Sequence, residues 1–228
     1  MDFHLIDLPL PRVGFRRFIS AWLLRDTARD RTYIVDPGPP STWPLLRDAV
    51  NSKGNGRVDA VLLTHVHIDH AGVSGLLVRE FGAPVAAPEK GVPHLLDPFA
   101  LWQGSRQTLG ETALLYGEPF PVPAGKILPI DSLPKGFSAV DTPGHAAHHQ
   151  SFLFDDDGVL TLFVGEAAGV YLEGEEPFPY LRPATPPRFF PDVTLASLDR
   201  LLERGCSRIC YGHYGAADGA REMLTFAK

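Results

Sequence analysis

His65-Val66-His67-Ile68-Asp69-His70 places three imidazoles and a carboxylate within six residues. The stretch before it, Val58-Asp59-Ala60-Val61-Leu62-Leu63-Thr64, is an apolar run that reads as a buried strand. Imidazole and carboxylate suit zinc and other divalent first-row metals. Four such side chains would be costly to bury unless something paired with them. One tetrahedral ion cannot easily use all four donors from so short a stretch. Two neighbouring ions can, and paired metals are a means of activating water for hydrolysis.

Outward from this run, Phe3–Leu8, Phe18–Leu24 and Thr32–Val35 read as strands, the last closed by the turn Asp36-Pro37-Gly38-Pro39-Pro40. Thr42–Val50 reads as a short helix and Asp69–Phe81 as a longer one, with Leu76, Leu77 and Phe81 on one face. Ala83–Ala87 is a short strand, and Glu89–Gly117 has a broken helical pattern. Strands return at Lys126–Ile130, Phe137–Asp141, Gln150–Phe154 and Val159–Val164. Gly174–Pro191 is rich in proline and aromatic residues and reads as a long functional loop. Thr194–Glu203 is an amphipathic helix, Arg208–Tyr211 a strand and Ala216–Phe226 a closing helix. Ile209-Cys210-Tyr211-Gly212-His213 echoes the first motif, since both put histidine at the C-terminal end of a strand, where α/β layers gather ligands. Strands in both halves, with helices between and after them, fit two packed sheets covered by helices better than one doubly wound sheet.

Composition narrows the function classes. The chain has 228 residues, 44% of them hydrophobic, enough for one sizeable core, and residues 1–228 read as one domain with a helical insertion near 89–117. The net charge of −6 and the lack of any lysine- or arginine-rich run argue against a nucleic-acid partner. No segment approaches the roughly 20 apolar residues of a membrane span, and Met1 to Ser20 shows no basic region followed by an apolar stretch. The expectation is a cytoplasmic protein acting on a small molecule, with a homodimer as the candidate assembly. Cys206 and Cys210 sit four apart, one before and one within an expected strand. If extended they lie about 13 Å apart at ~3.3 Å per residue, too far for a disulfide. They read as reduced core residues.

Three further pieces complete a constellation. Asp141-Thr142-Pro143-Gly144-His145 ends a strand in a rigid turn. Gly165-Glu166 follows another strand, and His213 sits between Gly212 and Tyr214-Gly215, where glycine allows close approach to a ligand. Of His148 and His149, one is expected to face solvent and the other the cleft or a hydrogen bond, with neither a ligand. Asp36 reads as a turn former or a residue orienting a ligand, and His4 and His94 as surface or core residues.

With these motifs in order from residue 36 to residue 215, the chain resembles the metallo-β-lactamase-fold superfamily of hydrolases, in particular its small stand-alone, glyoxalase II-like members. The resemblance implies an α/β fold, the four-layer αββα sandwich. It implies two divalent metals, zinc first with iron or manganese as alternatives. His65, His67 and His145 would bind one metal, and Asp69, His70 and His213 the second. The family usually has a bridging aspartate where this chain has Glu166. Glutamate is one methylene longer, so Glu166 is expected to bridge, to bind one metal, or to orient a ligand histidine.

The implied chemistry is cleavage of a small thioester, lactone or other ester by a metal-bound hydroxide, with Asp69 both ligand and catalytic, orienting the nucleophile and passing a proton to the leaving group. No Gly-x-Ser-x-Gly motif or phosphate-binding glycine loop competes for the chemistry. Substrate contacts are expected from Pro98–Gly117 and Tyr171–Pro191. Within them Tyr171, Tyr180 and Arg182 are the candidate substrate-binding residues, suited to an acyl chain or ring bearing an anion. Arg182 has an alternative pairing with Glu173, Glu175 or Glu176. The rival functions are a phosphodiesterase or nuclease of the same superfamily, a mononuclear iron persulfide-dioxygenase-like oxidoreductase, and a non-catalytic binding module.

Overall fold

A computed structural model describes residues 1–172, 180–185 and 189–228. They fall into two compact units, Met1–Ser132 and Leu133–Lys228, each with its own hydrophobic cluster.

The first unit runs β1 (Asp2–Asp7), β2 (Ser20–Asp26), β3 (Arg31–Val35), α1 (Trp43–Lys53), β4 (Ala60–Leu62), α2 (Ile68–Ala71), α3 (Ser74–Phe81), β5 (Val85–Ala86), α4 (Val92–Leu96), α5 (Phe99–Leu109), α6 (Glu111–Tyr116) and β6 (Ile127–Leu128). Its strands lie in sequence order in one sheet. β1, β2 and β3 are antiparallel, and β3 to β6 are parallel. β4 consists entirely of buried aliphatic residues, as a central strand covered on both faces requires. Leu23, Ile34, Leu46, Val61, Leu63 and Leu77 are fully buried in this unit's core.

Two expectations change here. The helix anticipated over Asp69–Phe81 is two helices, α2 and α3. Val73 breaks the ladder by donating its N–H to the Gly38 carbonyl at 3.0 Å. Gly72 permits the close packing, since a Cβ there would lie 2.6 Å from Pro40 Cδ. The strand expected at Lys126–Ile130 shrinks to Ile127–Leu128, flanked by single 3-10 turns.

The second unit runs β7 (Phe137–Asp141), β8 (Gln150–Asp156), β9 (Val159–Gly165), β10 (Val170–Leu172), β11 (Tyr180–Arg182), α7 (Pro191–Leu202), β12 (Arg208–Tyr211), β13 (Ala216–Asp218) and α8 (Ala220–Phe226). Its main sheet has the order β13-β12-β9-β8-β7. β7, β8 and β9 are antiparallel, and β12 runs parallel to β9. Leu162, Val164, Leu198, Leu201, Ile209 and Tyr211 centre the core.

The closing helix begins later than the expected Ala216, because Ala216–Asp218 pairs with β12 as β13 before Gly219 turns the chain into α8. Within the expected loop Gly174–Pro191, Tyr180–Arg182 forms β11, which pairs antiparallel with β10 just ahead of the loop. Glu173, Glu175, Glu176 and Phe178 lie outside the described residues, as does the side chain of Tyr180. Cys206 and Cys210 are free and buried, and burial pushes the Cys206 thiol up to about 11. Among the described residues, no helix is long and apolar enough to cross a membrane.

Candidate metal centre

In the first unit the donors cluster where parallel strands end. The register Val35↔Leu62 sets Asp36 beside the chain leaving β4. Asp36 accepts from Thr64 N–H at 2.8 Å and from the Thr64 hydroxyl at 2.7 Å, and its backbone adopts φ +49°. The same carboxylate lies 3.5 Å from His70 Nδ1, while His70 Nε2 lies 3.7 Å from Asp69 Oδ2. Asp36 thus lies on the Nδ1 side of His70 and Asp69 on its Nε2 side. His65 Nδ1 is 3.0 Å from the Thr64 hydroxyl. The His65 ring lies 4.6 Å from that of His67 and 4.4 Å from that of His70. His65 and His70 are buried; His67 and Asp69 are half-buried. Asp36, His65 and His70 each offer a ligand atom, all within 4.8 Å of one another. The run is braced against the Asp36-Pro37-Gly38 turn, because Gly38 N–H donates to the His70 carbonyl at 3.0 Å. α5, part of the expected substrate wall, packs against α2.

In the second unit the donors come from three strand ends. β7 and β8 pair through Asp141↔Gln150, so residues 142–149 form the connecting loop. That loop is splinted by α7. Ser197 Oγ donates to the Pro143 carbonyl at 2.6 Å and Arg200 to the Asp141 carbonyl at 2.7 Å. Gly144 adopts φ +149°, and a Cβ there would lie 3.0 Å from Thr194 Cα. His145 therefore projects from a loop held along one helix face. Its Nδ1 faces the Ala184 carbonyl at 3.2 Å, an arrangement in which Nε2 would be the nitrogen to meet a metal.

Glu166 follows β9, and His213 follows β12; Gly212 N–H donates to the Gly165 carbonyl at 3.0 Å, which brings the two together. The Glu166 carboxylate then spans two histidines: Oε2 lies 2.8 Å from His145 Nε2 and Oε1 3.3 Å from His213 Nε2. Burial pushes this carboxyl up, but the charges of His145 and His213 and their hydrogen bonds outweigh it, holding Glu166 well below the usual glutamate value. A buried carboxylate among imidazole nitrogens is a donor set suited to a divalent first-row metal.

The structure thus brings His65, His67, Asp69 and His70 together in one unit, and His145, Glu166 and His213 in the other. His149 is buried and half of a hydrogen-bonded pair with Thr142 (2.9 Å), while His148 is half-buried. Nothing in the local sequence singles out Thr142 or separates His149 from His148. The strand pairing that selects His149 is a tertiary signal. Of the expected substrate residues, Tyr171 stacks on Tyr211 with ring centroids 5.2 Å apart. Arg182 is exposed, and only the backbone of Tyr180 is described.

The characteristic pattern of the metallo-beta-lactamase superfamily matches residues 14–213, and the chain belongs to this family. A metallo-beta-lactamase fold-containing protein of Sulfurisphaera tokodaii is 28% identical over 169 residues, covering 70% of this chain and 61% of its own length. A hydroxyacylglutathione hydrolase of Nitrosomonas eutropha is 33% identical over 136 residues, covering 57% of this chain and 42% of its own. The chain thus spans less than two thirds of the length of either relative. An archaeal superfamily protein from Sulfolobus tokodaii has a solved structure that matches 98% of this chain and 83% of its own, at 23% identity and a TM-score of 0.75. The chain therefore has the metallo-β-lactamase fold, mixed α/β with two main sheets and helices, as its motifs led us to expect.

Proposed function

We propose that this chain is a metal-dependent hydrolase of small thioesters, lactones or related esters, with a dinuclear zinc centre drawn from both donor groups. His65, His67 and His145 would hold one ion, and Asp69, His70 and His213 the other, with Glu166 reaching both. The observation that carries the reading is the Glu166 carboxylate, which presents one oxygen to His145 and the other to His213. A bridging ligand needs that disposition, and the longer glutamate side chain attains it. The family match supports joining the two groups, since it runs through both.

Bound divalent metals supply Lewis acidity and lower the pKa of water at neutral pH. The protein's part is orientation and proton transfer. Asp69 Oδ2, near His70 Nε2, would align the attacking water, accept the proton it gives up and pass that proton to the leaving group. The Ala184 carbonyl would orient the ring of His145 through Nδ1, and Asp36 lies beside Nδ1 of His70. Arg182, exposed at the end of β11, would receive an anionic group of the substrate, and Tyr171 would line its approach. A thioester substrate is favoured by the hydroxyacylglutathione hydrolase relative.

The test joins elemental analysis of the purified protein to a panel of thioesters, lactones, phosphodiesters and β-lactams. Two equivalents of zinc with ester turnover are expected; one iron with oxygen uptake would replace this reading. Asp69→Asn is expected to keep metal and lose turnover. Unchanged turnover with metal retained would refute the proton role.

A further inference from the structure

We infer that His149 is a positioning residue that locks the Glu166 carboxylate in its bridging place, an inference that rests on the metal-centre reading above. The antiparallel register Phe152↔Phe163, continued past the end of β8, sets His149 opposite Glu166. Glu166 N–H donates to His149 Nε2 at 3.1 Å. A backbone amide can only donate, so Nε2 carries no proton and the neutral ring holds its proton on Nδ1. Nδ1–H then donates to Thr142 Oγ1 at 2.9 Å. The Thr142 hydroxyl passes the chain to Ser151 Oγ at 2.9 Å, and Ser151 donates to the Val164 carbonyl at 3.2 Å.

Every donor in this chain points the same way, and a single histidine tautomer satisfies it. Thr142, His149 and Ser151 are all buried, so a mismatched proton would cost a buried hydrogen bond. The chain starts at Glu166 and ends at Val164, on either side of Gly165, whose φ of +57° marks the bend at the end of β9. The bend is therefore pinned on both sides, and the direction of the Glu166 side chain is set by it. Cutting the chain at His149 removes the bond on the N–H side of the Gly165-Glu166 peptide, whose carbonyl stays held by Gly212 N–H, and so loosens the carboxylate that reaches His145 and His213.

Two substitutions separate this role from packing. In His149→Gln the amide oxygen reaches about as far as Nε2 and can accept from Glu166 N–H. In His149→Asn the shorter side chain retains a polar group near Thr142 but falls short of Glu166. The metal-free protein is titrated with Zn2+ alone by calorimetry, with thermal melts to confirm folding. The wild type and His149→Gln are expected to bind two equivalents with similar affinity, whereas His149→Asn loses about ten- to a hundredfold at one or both sites. In parallel, 15N NMR of the metal-free wild type should show His149 protonated at Nδ1 and bare at Nε2. If His149→Asn does not fold, Thr142→Val, close in shape, carries the comparison: it should leave His149 Nδ1–H without its Thr142 acceptor and weaken zinc binding. A folded His149→Asn or Thr142→Val with wild-type zinc affinity overturns the inference while leaving the metal centre intact, as does a proton on Nε2. A wild type with the expected tautomer that binds no zinc overturns the metal-centre reading and the positioning role with it.

Discussion

The two donor groups are built in opposite ways. In the first unit four donors are neighbours in sequence, and a strand end leading into one helical turn is enough to gather them. In the second, His145, Glu166 and His213 sit at the ends of different strands and meet only when β8, β9 and β12 are in register. The first group needs outside support mainly to orient its rings, and the Asp36 turn provides it. The second needs support to exist at all, and draws it from α7, the Ala184 carbonyl and the hydrogen-bonded chain through His149. Local donor geometry is resistant to distant change, whereas assembled geometry depends on every splint that holds it.

The most severe challenge to this contrast is at Asp36, a long-range support of the local group. Asp36→Ala removes the acceptor for two buried Thr64 donors and imposes alanine on a left-handed backbone. We expect a loss of roughly 3 kcal/mol, read as a lower urea midpoint, together with weaker zinc binding through His70. Asp36→Asn tolerates the backbone and keeps one acceptor, so its loss should be less. If Asp36→Ala alters neither stability nor zinc uptake, the first group is more self-sufficient than we hold.

The same contrast governs what could be read from the sequence. His65–His70 announced itself because its spacing is its geometry. His145 and His213 were legible as candidates, since glycine and proline around each mark a turn at a strand end. A bridging Glu166 was among the outcomes the resemblance implied, but no local spacing selects it, because the register that sets it between the two histidines is irregular: Cys210 opposes Phe163 but Tyr211 opposes Gly165. His149 was hidden for a similar reason: nothing local separates it from His148, and only the pairing of β8 with β9 decides. The break between α2 and α3 was missed because it arises from Val73 bonding to Gly38, far back in the chain. The β10–β11 pair was masked by prolines and aromatics that resemble a loop.

Two substitutions on the splint should sharpen the contrast. Gly144→Ala places a methyl group 2.3 Å from Thr194 Oγ1 and 3.0 Å from Thr194 Cα. Either the loop or the N-terminal turn of α7 must shift, at about 2 kcal/mol, and His145 moves with the loop. Zinc affinity should fall more than the melting temperature alone suggests; a fall in stability with unchanged zinc affinity would show that His145 does not depend on α7. Ser197→Ala is gentler. It deletes one hydrogen bond to the Pro143 carbonyl, worth about 1 kcal/mol. Its effect on zinc should be detectable in the second group, and its absence would place the burden of support on Gly144 packing.

The smallest effect is expected at Asp59, beside β4 but away from the donors, where acid titration supplies a control. Burial pushes its carboxyl up, but hydrogen bonds from Arg57 and Arg31 and from Thr32 N–H prevail, so its net shift is below 3.8. A carboxyl whose folded value is depressed contributes stability that is complete above the unfolded value and disappears as pH falls through the folded one. Arg57 and Arg31 are substantially exposed, at 39% and 51%, so solvent screening limits the contribution to below about 1 kcal/mol. Wild-type melting temperature should therefore decline on acidification below about pH 4, and Asp59→Asn should be slightly less stable at neutral pH with a shallower decline. Because β4 feeds the histidine run directly, this variant also asks whether the local group senses strain at the far end of its own strand. Zinc affinity equal to wild type at neutral pH is the expected answer. A reduced affinity would mean that the run is not set by its own six residues, and the distinction between a local and an assembled donor group would lose its basis.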